Sequence, residues 1–404
     1  MKCKRKKVFL SLLCLLTFLI MVITACDKSN QNQQKEKRLL IWVSGNAKEL
    51  DFFHSSIDSF RQKFTDTQIE LQPFNFSNLK PSIFGVADSQ SSRPDIIMFA
   101  SDWLGELVEK KILVEITAPS RQFLPIATRA MNYKQKNYGI PYSLETIALI
   151  YNPELLATPP ADIKALTDLQ ISPNQSIYPL LYDNKNFYFH APWFHSFGAR
   201  TFKNETLNIA KQNAADSIDF AIALEQKYKL VAPKSNQAAA INLFCAGKTA
   251  MTINGPWVIP DLELNKVSFK VCPIPGQTTQ EPAQPFVGVK GLGITRFCQN
   301  SDSARNFLEF FTNENNLAKA AKNSIFIPCI STIKQQNLES EWIKGFINQA
   351  EHGILMPANP EMKYVWSEMN RVLRIKFIKN PDSLELLKEA QSRIISSTSG
   401  KEKE

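Results

Sequence analysis

The sequence contains no C-x-x-C pair, no Gly-x-Ser-x-Gly elbow, no zinc-ligand spacing and no internal repeat. These absences argue in turn against a thiol redox motif, a hydrolase-type serine nucleophile, a structural metal, and a solenoid or propeller. Histidine is scarce, at four residues. His190 and His195 are separated by Pro192, a breaker of any common helical face, so both read as surface or hydrogen-bonded histidines rather than ligands. The glycines of Gly288-Val289-Lys290-Gly291-Leu292-Gly293 lie in an apolar strand pattern with no helix start behind them, which argues against a phosphate loop. Of the 38 Asp and Glu residues none is marked as an acid with a raised pKa. No catalytic residue and no cofactor is therefore assigned, and the chain reads as a protein other than an enzyme. Basic surplus is small as well: Lys2, Lys4, Arg5, Lys6 and Lys7 supply five charges of the net +9, leaving +4 scattered along the rest. That distribution excludes nucleic acid as a partner.

What is present begins at the amino end. The positive start is followed by the apolar run Val8 to Ile23 and then by small Thr24 and Ala25, the plan of a secretory signal. As a membrane span the run is short of the roughly 20 apolar residues required, and Ser11 and Thr17 interrupt it. Ile23-Thr24-Ala25-Cys26 resembles the lipobox of bacterial lipoproteins, which implies removal of residues 1–25, lipidation of Cys26 and attachment of residues 26–37 as a flexible tether. At roughly 0.8 kcal/mol per buried methylene, two or three acyl chains would make that anchor nearly permanent. The expected address is the cell membrane, with the chain facing the periplasm or the exterior. Cys245, Cys272, Cys298 and Cys329 remain after processing, at wide spacings and with apolar or turn neighbours, so they read as buried free thiols with one disulfide as the alternative.

The remaining length suggests two domains. Leu39 to Val43, Ile69 to Phe74 and Pro94 to Phe99 read as strands, with a phenylalanine-rich helical pattern from Phe52 to Phe64 between the first two, an order that predicts a parallel α/β sheet. Ile147 to Tyr151, Thr249 to Ile253 and Val289 to Ile294 read as further strands. Helices are predicted over Trp103–Lys110, Asp216–Tyr228, Ala238–Phe244, Ser303–Lys322, Leu338–Ala350 and Tyr364–Ile378. Trp257, just after Asn254-Gly255-Pro256, and Trp366 stand at element ends, while Tyr188 and Phe189 lie in a stretch that reads as irregular, Phe187 to Trp193. Rings so placed can offer a flat face to the C–H side of a sugar, with carboxylates accepting its hydroxyl protons.

Several phrases together resemble the maltose/maltodextrin-binding proteins, the capture subunits of carbohydrate importers of the ATP-binding-cassette type. They are Leu39-Leu40-Ile41-Trp42-Val43-Ser44-Gly45, Pro94-Asp95-Ile96-Ile97-Met98-Phe99-Ala100-Ser101-Asp102, Ile140-Pro141-Tyr142-Ser143-Leu144-Glu145, Gly247 to Trp257, Pro285-Phe286-Val287-Gly288-Val289, and Gly353 to Met362 with Trp366. The resemblance spans nearly the whole mature chain. It implies a two-lobed α/β fold of the type II periplasmic-binding-protein class, each lobe a mixed, mostly parallel sheet flanked by helices, with the ligand cleft between. Lobe I is expected over 38–146 and 289–335, lobe II over 147–288 and 336–404. Carried over residue by residue, Asp102 and Glu145 match carboxylates that bond sugar hydroxyls, and Tyr188, Trp257 and Trp366 match stacking aromatics. The chain departs where Asn46 replaces an aspartate, Ala47 a lysine, Phe99 a tryptophan, Trp103 an arginine and Asn186 a glutamate, with Lys48 next to hand for the missing lysine. Asn46, Phe99, Trp103 and Asn186 stay in the expected ligand-binding set. The implied partners are a carbohydrate, integral-membrane permease subunits with their ATPase, and the membrane through the lipid. The alternatives are a surface adhesion or sensory lipoprotein on the same scaffold without transport and, behind it, a glycoside-active enzyme.

Overall fold

The computed structural model describes residues 37–87, 93–119, 123–169, 178–233, 235–332 and 338–399. The signal segment, Cys26 and the tether as far as residue 36 lie outside the described residues. The strands are β1 (Lys37–Val43), β2 (Thr67–Pro73), β3 (Ile96–Ala100), β4 (Ile140–Glu145), β5 (Ala148–Tyr151), β6 (Tyr178–Leu181), β7 (Thr249–Asn254), β8 (Lys270–Cys272), β9 (Phe286–Ile294), β10 (Ile327–Pro328) and β11 (Ile354–Leu355). The helices that position the site are α1 (Ala47–Lys63), α2 (Phe76–Ala87), α3 (Leu104–Glu109), α4 (Phe187–Ser196), α5 (Gln212–Gln226), α6 (Ile259–Leu264), α7 (Ser301–Phe311), α8 (Glu314–Lys322), α9 (Glu341–Glu351), α10 (Met362–Lys379) and α11 (Ser383–Ser399). Among the described residues no helix is long and apolar enough to cross a membrane.

Two larger sheets divide the chain, beside two small ribbons of two-residue strands within 132–137 and 202–207. One runs β10-β4-β9-β3-β1-β2, with β11 alongside β9; the other runs β8-β5-β7-β6. Leu39 to Val43 and Ile96 to Phe99 are buried throughout, as strands covered on both faces must be. The covering layer comes from α1 and α7, whose Phe53 and Phe311 rings stack at 4.4 Å. Around the second sheet a separate core forms from residues such as Tyr182, Trp193 and Met251. A third cluster joins α4, α5, α10 and α11 through Phe187, Ile218, Val372 and Leu387.

The sheets are mixed, yet parallel pairing is not in the majority. In the first sheet β1 runs parallel to β2 and β3, whereas β9 is antiparallel to both β3 and β4, and β10 is antiparallel to β4. The reason is β9 itself: it enters from the other lobe, so it meets the first sheet from the opposite end. Its first residues, Phe286 and Val287, pair with β11, and Gly288 onward pair with β4. The chain crosses the other way between Glu145 and Ala148, where buried Thr146 donates its hydroxyl to the Phe286 carbonyl at 3.0 Å and ties the two crossings together.

Three local expectations are corrected. Phe187 to Trp193 is helical rather than irregular: α4 continues through Pro192, whose missing N–H leaves the Tyr188 carbonyl without its usual partner. Anchors outside the helix offset this, since Phe187 N donates to Asn370 Oδ1 at 2.7 Å and Gln284 N to the Pro192 carbonyl at 3.2 Å. The predicted helix Ser303–Lys322 divides at Asn313, whose side chain caps α8 by accepting from Asn316 N at 2.9 Å. Finally, α11 was not anticipated; Asp382 starts it by accepting from Glu385 N at 2.9 Å. Among the described residues Cys245, Cys272, Cys298 and Cys329 are free thiols; Cys329 is buried, whereas the other three, expected to be buried, are only partly so.

Candidate functional site

The crossing segments and the ends of β3, β7 and α4 converge where α10 meets the first lobe. Asp102 lies in a single 3-10 turn, Ser101–Trp103, directly after β3. Its Oδ2 accepts from Trp366 Nε1 at 3.3 Å, a bond that joins α10 to the first lobe. Burial raises the Asp102 carboxyl above its ordinary range, against the opposing charge of Lys80 and the Trp366 bond.

The aromatic side of the site is continuous. Trp366 packs on Phe286 at 5.4 Å between centroids, on Phe187 at 5.9 Å and on Tyr188 at 6.1 Å. Tyr188 in turn faces Trp257 at 6.3 Å. Trp257 sits in the 3-10 turn Pro256–Val258 after β7, and its ring lies across Gly255, where a Cβ would come within 2.1 Å of it. Only glycine fits there. Trp257 Nε1 is buried, with no hydrogen-bond partner among the described residues.

Glu145, at the end of β4, belongs to an ion cluster. Lys290 Nζ lies 2.8 Å from Glu145 and 2.9 Å from Glu49, with all three side chains largely buried. Burial and then the nearby Glu49 raise the Glu145 carboxyl, while Lys290 opposes the shift. For Lys290 burial alone would favour the neutral amine, but the two carboxylates outweigh it and hold the ammonium well above its ordinary value. The strand register shifts between Lys290 and Gly291, the irregularity at which this side chain leaves the sheet.

A second cluster closes the rim. Glu106 on α3 accepts from Lys363 of α10 at 2.8 Å and pairs with Lys80 of α2 at 3.0 Å. Burial would raise the Glu106 carboxyl, but these two ammoniums hold it below its ordinary range. On the other rim Lys48 reaches Glu263 of α6 at 2.7 Å.

The structure therefore brings together Asp102, Glu145, Tyr188, Trp257 and Trp366, and treats the departing positions differently. Asn46 caps α1, accepting from Glu49 N while its own N–H donates to Glu49 Oε2 at 2.8 Å. Asn186 caps α4, accepting from Tyr188 N at 3.1 Å. Each amide oxygen is spent on holding a helix that carries site residues. Phe99 is fully buried, its ring filling the space beside Gly139 and Gly293, and it does not join the cleft. Trp103 is mostly buried against Phe76, at 5.1 Å. Lys48 points to Glu263 rather than replacing the lysine absent at Ala47, and the cation beside Glu145 is Lys290. Its signal was a lone charge inside the apolar strand Phe286–Ile294, which burial permits only with a partner. His190 and His195 are buried and bonded to carbonyls, His190 Nε2 to Ser217 at 2.8 Å and His195 Nδ1 to Gln284 at 2.7 Å.

Flat rings beside carboxylates suit a ligand with both C–H faces and hydroxyls. Among the described residues no group of His, Cys, Asp and Glu is placed to hold a metal.

Comparison with known proteins places this geometry in a wider setting. A family model described as bacterial extracellular solute-binding protein matches residues 55–350. The chain is 26% identical over 381 residues to a maltotriose-binding protein of Pyrococcus abyssi, spanning 90% of this chain and 83% of that protein. It is 24% identical over 312 residues to a maltooligosaccharide ABC transporter solute-binding lipoprotein of Streptococcus pneumoniae, spanning 71% and 72%. A crystal structure of a cyclo/maltodextrin-binding protein complexed with maltotetraose shares the two-lobed fold with a TM-score of 0.80 at 25% identity, over 91% of this chain and 98% of that one.

Proposed function

Because the chain belongs to the bacterial extracellular solute-binding proteins, we propose that it captures an oligosaccharide, a maltodextrin or related glucoside, for an ATP-driven importer in the membrane. The observation that carries this reading is the run of Trp257, Tyr188 and Trp366 rings ending on the partly buried carboxylate of Asp102. The rings supply apolar faces, Asp102 and Glu145 accept from hydroxyls, and the buried Trp257 Nε1 donates to a ligand oxygen. The named ligands of the relatives support the same class.

Lobe I comprises 38–146 and 289–335, and lobe II 147–288 and 336–404. Sugar binds one lobe and gains contacts from the other on closure, with rotation about the crossings at Glu145–Ala148 and the start of β9. The ligand shifts the balance toward the closed form by no more free energy than its difference in affinity for the two forms. The closed, loaded chain docks on permease subunits that carry an ATPase. Lipid on Cys26 keeps it at the membrane, as the name of the pneumococcal relative supports.

Calorimetric titration of the detergent-solubilised full chain against maltose, maltotriose, maltotetraose and trehalose tests the reading. Binding to at least one sugar with a Kd of about 1 μM or tighter is expected, weakened at least about tenfold in Trp257→Ala and Trp366→Ala. Silence toward every sugar in the series overturns it.

A further inference from the structure

Phe76 is half exposed, at 50%. It opens α2, and Lys80 lies one turn further along the same face. Phe76 is not an isolated apolar side chain on open surface. Its ring packs on Trp103, the residue next to Asp102, at 5.1 Å. Lys80 lies over the other part of this patch, 5.9 Å from the Trp103 centroid, and pairs with Glu106, which also holds Lys363 from α10. The face of α2 that presents Phe76 and Lys80 therefore abuts the rim where α10 brings Trp366 to Asp102.

A second aromatic pair thus begins beyond the described cleft: Trp257, Tyr188 and Trp366 end on Asp102, and the next residue, buried Trp103, backs the exposed ring of Phe76. An exposed ring backed by a buried one, beside a lysine and two carboxylates, has the composition of a sugar-stacking surface. We propose that Phe76, seated on Trp103, takes a distal glycosyl unit of a linear oligosaccharide, so that the protein selects longer chains over di- and trisaccharides. The inference rests on the sugar-capture reading and adds to it a subsite and a chain-length preference. Its occupant is a neutral hexose unit whose C–H face covers Phe76 while Lys80 donates to a hydroxyl.

The test is a titration of the full chain with maltotriose and maltohexaose, for the wild type, Phe76→Ala and Phe76→Trp. The wild type is expected to bind maltohexaose about tenfold more tightly than maltotriose. Phe76→Ala should cut that ratio to about threefold or less, and Phe76→Trp should keep it; thermal unfolding confirms that each variant is folded. A wild type that binds both sugars with equal affinity, or a ratio untouched by Phe76→Ala, overturns the chain-length inference and leaves sugar capture standing. Absence of binding to either sugar overturns the chain-length inference, and sugar capture falls with it only if maltose, maltotetraose and trehalose are silent as well.

Discussion

Lys290 faces Glu145 and Glu49 at 2.8 and 2.9 Å from within a strand that is otherwise apolar. Its removal leaves two buried carboxylates without their cation, a change that typically costs about 3 to 5 kcal/mol. Lys290→Met should therefore destabilise the fold by about 3 kcal/mol at pH 7. Because the Glu145 carboxyl is already raised, it takes up a proton readily when the ammonium is gone, so the loss should shrink toward pH 5. Urea unfolding at the two pH values measures this, and a loss that grows on acidification would contradict the assignment. At this scale the sequence was partly legible. Trp257 and Trp366 stood out because large rings at element ends are poorly explained by a periodic core face. The capping roles of Asn46 and Asn186 are not legible, because an amide that bonds a sugar hydroxyl and one that caps a helix look alike in sequence. Trp103 and Phe99 are both aromatic substitutions, and only packing separates the ring at the rim from the ring in the core.

Helix α4 concentrates buried groups to an unusual degree, with both His190 and His195 inside it. Burial lowers His190 to about 4 and His195 to about 3. Unfolded imidazoles titrate near 6.5, so below that pH the unfolded chain binds protons that the folded one refuses, and stability declines as pH falls. At pH 5 each histidine should cost about 2 kcal/mol relative to pH 7. His190→Gln should flatten the slope of unfolding free energy against pH by about that share, read from denaturant titrations between pH 7 and 5; an unchanged slope would mean that His190 does not stay neutral. The helix escaped a sequence reading because Pro192 is a strong local signal against it, and the anchoring bonds from Asn370 and Gln284 are distant in sequence. The strands of the first sheet were legible from their unbroken apolar runs. Their directions were not, since the reversal of β9 follows from its origin in the other lobe.

At the scale of the molecule, on the proposed division into lobes, two charge pairs among the described residues bridge them, Lys363 with Glu106 and Lys48 with Glu263. The second is about half exposed on both sides and is readily screened, whereas Glu106 is mostly covered. The sugar-free chain should therefore open partly as salt is raised toward 1 M, where the screening length falls to about 3 Å. Small-angle scattering should record a larger radius of gyration. In the Glu106→Gln/Glu263→Gln variant the radius should already be larger at low salt and respond less to added salt; identical curves for variant and wild type would remove these pairs from the closing mechanism. Acid acts on the Glu106 pair in a definite direction: its carboxyl is depressed in the folded state, so its contribution is complete above the unfolded carboxyl value and fades as pH falls through the lower, folded one.

The strand β9 pairs with β11 through its first two residues and with β4 and β3 beyond them, and in that second part, opposite Ser143 and Ala100, it carries Lys290. Torque on this strand is thus also work against the attraction between one ammonium and two carboxylates. The stiffness of the strand and the charge state of Glu145 share a single side chain, so a substitution that retunes one retunes the other.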